Sequence, residues 1–248
     1  MTTRKTKTGA SRGRPALPPP DLEPLDTDSG LPTDRLVYNA IRKALMSGAI
    51  MPGAKLSSRS IANALGVSAM PVREALKRLD ADAVLQSTAK SSFKVREITA
   101  QHYEEILAIR LPLEGLLTRH AVAHLTANDI AYLRTLIARM ETTQDWKALL
   151  RDNYSMRFHI YEKANLPYAL SLVENIWLRV GPILHELNLR EEHASHSAQR
   201  HHYDLVDALE QKNPKLAERA LQADILLNAE MLRPRLKQGD QASALSAA

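Results

Sequence analysis

Ser68-Ala69-Met70-Pro71-Val72-Arg73-Glu74-Ala75-Leu76, preceded by Ile61-Ala62-Asn63-Ala64-Leu65-Gly66-Val67, reads as helix, tight turn, helix. Ile61, Ala62 and Leu65 share one apolar face, and Gly66 can take the positive φ that ends a helix. Ser68 stands where an N-cap is wanted. Pro71 falls within the following first turn, where a missing N–H costs little. Val72, Ala75, Leu76 and Leu79 then point inward and leave Arg73, Lys77 and Arg78 outside. A short helix with a cationic outer face, braced by a neighbour, suits a DNA major groove. An ordinary helical hairpin with solvated charges would share the pattern.

Upstream, Leu36, Val37, Ala40, Ile41, Ala44 and Leu45 keep a 3.6-residue period, which predicts a helix from Thr33 or Asp34 to Ser47. Gly48 to Gly53 closes it, and Ser57 or Ser58 caps the next helix. Downstream, Val84-Leu85-Gln86-Ser87 and Phe93-Lys94-Val95-Arg96-Glu97-Ile98 alternate as two short strands of a hairpin, with Lys90 near its tip. Three helices and a hairpin make a winged helix-turn-helix. From Thr99 the period is helical throughout and predicts six helices over 99–124, 126–143, 145–164, 167–188, 195–211 and 213–236. Thr126-Ala127-Asn128-Asp129 serves as a cap with an acidic first turn. The expected fold class is mostly α: an N-terminal winged helix-turn-helix over 32–98 and a C-terminal antiparallel helical bundle over 99–236. Residues 1–31, rich in Pro, and 237–248 are expected to be disordered tails.

Charge is unevenly spread. The net charge is +5, yet residues 1–98 hold 16 Lys/Arg against 9 Asp/Glu, and the remainder is slightly acidic. All nine histidines fall at or after His102. The segregation points to an electrostatic task in front and a coordinating or ligand-binding task behind. With no cysteine, disulfides and thiol nucleophiles are excluded. No apolar run approaches the roughly 18–20 residues that span a bilayer. A cytoplasmic protein with no membrane partner is expected. Ser11-Arg12-Gly13-Arg14-Pro15 has the Arg-Gly-Arg-Pro core with which a thin arm enters an A·T minor groove, and a solubilising tail would look the same.

Ala44-Leu45-Met46-Ser47-Gly48-Ala49-Ile50-Met51-Pro52-Gly53-Ala54-Lys55-Leu56, Ile61-Ala62 through Ser68, and Pro71 to Leu76 together resemble the GntR family of bacterial transcription regulators. Ile106 to Glu114, Phe158-His159 and His202 to Leu209 resemble its FadR branch, whose second half is the FCD ligand-binding bundle. The resemblance spans residues 33 to 232. It implies a homodimer on an inverted-repeat operator in double-stranded DNA, most often as a repressor, with a small organic-acid effector. It implies DNA contacts from Arg59, Ser68 and Arg73, with Lys77 on the same face and the wing in the neighbouring minor groove. Ala69 stands where the family usually has Arg, Met70 where it often has Thr, and Ser91-Ser92 where the wing usually has Gly. Ala69 and Met70 would offer apolar contacts to thymine methyls instead of hydrogen bonds.

The same resemblance implies a divalent metal (zinc, manganese or nickel) at Ser155, His159, His202 and Asp224. Ser155 is a poor ligand, and Asp152, one turn back, could replace it. The alternative is a metal-free polar pocket in which His159 and His202 bond a carboxylate ligand directly, with His196 lining it. Arg110 either anchors an effector carboxylate or is satisfied by Glu114 at i+4. Two other functions compete. A metal-dependent enzyme on the histidine-rich bundle is opposed by Leu189, which breaks the His-Glu-x-x-His pattern begun at His185-Glu186. An architectural DNA binder would not need the large bundle.

Overall fold

The computed structural model describes residues 19–88, 92–185, 187 and 196–247. Helix α1 (Thr33–Met46) buries Val37, Ile41 and Leu45 completely. Helix α2 (Ser58–Leu65) begins at Ser57, whose Oγ accepts from Ser60 N at 3.5 Å. It ends at Gly66, which adopts φ +67° while Val67 N–H reaches back to Ala62 O. Helix α3 (Ala69–Ala81) follows at once and seals Val72, Ala75, Leu76 and Leu79 against α1 and α2. The wing strands are β2 (Leu85–Thr88) and β3 (Ser92–Val95), paired antiparallel with Leu85 opposite Val95. A third strand, β1 (Lys55–Ser57), pairs on the other side of β3 with Leu56 opposite Phe93, giving the order β1-β3-β2.

The second half consists of α4 (Ala100–Ala121), α5 (Ala127–Thr142), α6 (Trp146–Glu162), α7 (Pro167–Leu184), α8 (His196–Glu210) and α9 (Pro214–Ala247). Thr126 and Asp129 form a complete capping box: Thr126 Oγ1 accepts from Asp129 N at 3.2 Å and Asp129 Oδ2 from Thr126 N at 2.8 Å. Helix α9 packs along α4 and α8, and α5 along α6 and α8. Among the described residues no helix is long and apolar enough to cross a membrane.

Two expectations about the ends need correction. The acidic stretch after residue 18 lies on the body: Leu22 and Leu25 pack on the core, and Glu23 and Asp21 reach Lys43 and Lys147 at 2.6 and 3.5 Å. Residues 237–247 continue α9, and the Asp240 carboxylate accepts from Ala100 N at 2.9 Å, tying the end of α9 to the start of α4.

The two halves meet where α1 lies against α7. A methyl group at Gly181 would sit 2.2 Å from Leu45 O and 2.4 Å from Met46 O, so only glycine admits this approach. Beside it Arg42 pairs with Glu174 at 3.0 Å, and Arg179 donates to Asp82 O.

Candidate DNA-reading face and ligand core

The N-terminal end of α3 is open to solvent. Ser68, Ala69, Met70, Arg73 and Lys77 are exposed, Met70 to 67%, and Arg59 on α2 is exposed beside this helix-turn-helix. Ser68 occupies the N-cap position in extended conformation, but its side chain makes no capping bond. The hydroxyl expected to cap α3 is therefore left facing outward. Among the described residues neither the Arg59 nor the Arg73 side chain has a hydrogen bond or ion pair. Lys77 pairs with Glu74 at 2.9 Å across an exposed turn, a weak restraint. Arg78, by contrast, lies over the Tyr38 ring at 4.3 Å and is committed to packing α3 on α1. The wing is fixed from below by Ser87 N–H donating to Asp80 Oδ1 (3.1 Å) and Arg96 Nε donating to Leu85 O (2.8 Å). Lys90, Arg12 and Arg14 lie outside the described residues. The side chain of His196, at the start of α8, does too.

The bundle interior holds a polar cluster. Arg110 and Glu114 on α4 are 3% and 0% exposed and are paired. Glu114 also accepts from Trp177 Nε1 on α7 (3.1 Å) and from the Tyr161 hydroxyl on α6, and the Arg110 guanidinium lies over the Trp177 ring. Burial works against the charge on Arg110, but Glu114, with Tyr103 and Tyr161, outweighs it and holds its pKa above the ordinary value. Burial, followed by the Glu114 charge, pushes the Tyr161 hydroxyl far up, so it stays a donor. Glu114 thus satisfies Arg110 as the i+4 alternative expected, though Arg110 Nη1 keeps no acceptor among the described residues.

The four positions expected to hold a metal do not converge. Ser155 Oγ donates to Arg151 O at 2.8 Å. His159 turns to α5, where its Nε2 lies 2.8 Å from Asp129 Oδ1 and its ring packs on Tyr132. His202 Nε2 is 3.4 Å from Asp224 Oδ1, but Asp224 Oδ2 is bound by Arg157. Asp152, the substitute ligand, is held by both Nε and Nη2 of Arg139. Among the described residues no three His, Asp or Glu side chains gather as a metal site would require. These four positions, and Asp152, therefore do not fit the cation that the family pattern implies. The reason is helical phase: the inward position expected for His159 belongs to Arg157, two residues earlier and so on the opposite face.

Sequence reasoning passed over Arg157, Tyr161, Trp177 and Thr118. The signal for Arg157 was present. It falls on the helical stripe of Leu150, Ile160, Tyr161 and Ala164, where a charge demands an explanation.

Known proteins agree with this architecture. Residues 33–95 match the model for bacterial regulatory proteins of the gntR family, and residues 105–226 match the FCD domain. The HTH-type transcriptional regulator McbR of Escherichia coli (strain K12) is 36% identical over 154 residues, covering 61% of this chain and 70% of that protein. The structure of E. coli McbR/YncC aligns with a TM-score of 0.76 at 30% identity, over 83% of this chain and 99% of that one. A probable D-xylose utilization operon transcriptional repressor of Paenarthrobacter nicotinovorans is 28% identical, over 75% of this chain and 82% of that protein. These relatives are transcription regulators rather than enzymes. With a winged helix-turn-helix in front and an FCD bundle behind, the chain belongs to the GntR family of bacterial transcription regulators, in its FCD-bearing FadR branch.

Proposed function

We propose that this regulator binds an inverted-repeat operator as a homodimer, acts as a repressor in the cytoplasm, and changes its grip when a small organic acid enters the bundle. The observation that carries the DNA half is the open tip of α3, where Arg73, and Arg59 on neighbouring α2, are exposed with no side-chain partner among the described residues. In this reading Arg73 meets a guanine edge or phosphate, Arg59 a phosphate, and the Ser68 hydroxyl a phosphate or base edge. Ala69 and Met70 lie against thymine methyls, and Lys77 adds attraction to the backbone. Two-fold symmetry sets the recognition helices on half-sites about one helical turn apart. The acid is favoured as effector because the two buried guanidiniums of the bundle, Arg110 and Arg157, each keep N–H groups with no acceptor among the described residues.

Selection of binding sites from random duplex by the full chain, followed by footprinting, tests the proposal. The expected outcome is a two-fold symmetric site with two protected half-sites. Equal affinity for every duplex, with a steep salt slope, would mark an architectural binder and refute the proposal.

A further inference from the structure

We propose that Arg157 is the resident cation of the bundle: its guanidinium stands in the place of a metal beside Asp224, and its free N–H groups receive the oxyanion of an acidic ligand with no metal between. The site is built from three elements. Arg157 on α6 is 1% exposed and donates through Nη2 to Asp224 Oδ2 on α9. Asn228 Nδ2 supports the same carboxylate oxygen at 3.4 Å, and His202 Nε2 on α8 stands 3.4 Å from the other. Both carboxylate oxygens of Asp224 thus have a nitrogen neighbour, and a divalent ion arriving beside it would meet the fixed positive charge of Arg157.

The guanidinium is only partly used. Nε and Nη1 of Arg157 are buried with no acceptor among the described residues. Leaving charged donors unmet in a low-dielectric interior is expensive, and native interiors rarely do so without a ligand or water. Arg157 is not alone: Arg110 Nη1 and Thr118 Oγ1, on the inner side of α4, are also buried without partners. Tyr161, one turn beyond Arg157 on α6, donates to Glu114, which also pairs with Arg110, so the two guanidiniums flank one buried network. Orphaned donors on two facing helices, dominated by delocalised cations, match the planar, strongly accepting oxygens of a carboxylate. They offer nothing to a metal ion. The Arg110–Glu114 and Arg157–Asp224 pairs each balance their own charge, so the resting interior tolerates burial without a cofactor. This inference rests on the effector reading above but replaces a metal-bridged acid with a guanidinium-bound one.

The test uses the full chain. Metal content is measured first, and thermal unfolding is then followed in excess chelator with acetate, succinate or benzoate, each against its neutral amide at equal ionic strength. Less than about a tenth of a metal per chain is expected, with Tm unmoved by chelator, zinc, manganese or nickel. At roughly ten times its Kd an acid should raise Tm by about 3 °C while its amide does not. The acid response should vanish in Arg157→Gln and survive weakened in Arg157→Lys. If Arg157→Gln does not fold, the chelator-treated parent and Arg157→Lys still decide. A stoichiometric metal, an acid shift that needs added metal, an acid shift that survives Arg157→Gln, or no shift with any of the three acids overturns the proposal. Selective operator binding, measured in parallel, separates the outcomes: its loss in the untreated parent sinks the regulator reading, whereas its retention without acid response sinks this site alone.

Discussion

At the scale of single residues, side chains used in the fold separate from those held in reserve. Arg78 and Arg73 lie five positions apart on α3, yet one is stacked on Tyr38 and the other is unengaged among the described residues. Arg73→Ala should therefore leave thermal stability within about 0.5 kcal/mol of the parent, as surface changes do. It should weaken operator binding by about 1–3 kcal/mol and relax selectivity at one base pair. Gel shifts with matched and singly altered duplexes check both. Asp129 illustrates the opposite case. Hydrogen bonds from Lys163 and then Thr126, with His159 adding to them, hold its carboxyl well below the usual carboxylate range. Its folded pKa is thus below the unfolded one. The stabilisation is complete above about pH 4 and is lost as pH falls through the folded value. Asp129→Asn should cost about 1 kcal/mol near neutrality through the damaged capping box, and the gap between variant and parent should narrow towards about pH 3. Urea unfolding across that range reads it, and a gap that widened on acidification would contradict the assignment.

At the scale of elements, most helices were legible because their apolar residues keep a 3.6 period and their ends carry recognisable caps such as Thr126 and Gly66. Strand β1 was not, because three residues carry no readable alternation and its partner β3 lies far along the chain. The end of α9 has the composition of a tail, because its Gly, Gln and Ser promise no core. It stays helical where Asp240 reaches the first turn of α4, a contact without local signature. The ligand core was half legible. The Arg110–Glu114 pair follows from i+4 spacing, whereas choosing between Arg157 and His159 needed the phase of α6, which a motif match does not give. Helix α7 bridges the two halves, since Trp177 touches the polar cluster and Gly181, one turn on, touches α1. Gly181→Ala should force the two helices apart, lowering stability by roughly 1–3 kcal/mol as overpacked sites do. An unchanged denaturation midpoint would mean that this seam yields freely.

At the scale of the whole molecule, the junctions between the two halves include the α1–α7 seam with its Arg42–Glu174 pair, the Arg179–Asp82 hydrogen bond, and the stretch from the wing into α4. A ligand in the bundle can alter DNA binding only if it binds one placement of the DNA-reading half better than another. The coupling is then reciprocal. If an acid raises the operator Kd tenfold, operator DNA must raise the acid Kd tenfold, a coupling of about 1.4 kcal/mol. Titrating acid with and without operator, and operator with and without acid, should return the same factor. Because α7 contacts both the polar cluster and α1, Gly181→Ala should shrink the two factors together while the acid affinity of the DNA-free protein changes little. Arg73→Ala should weaken DNA binding yet leave the factor intact, since the role proposed for Arg73 is at the DNA and its side chain lies away from the seam. A factor that survives Gly181→Ala would move the coupling to the other connection, where Thr99 and Ala100 lead from the wing into α4 under the hold of Asp240. Asp240→Ala would then be the variant in which both factors fall towards one.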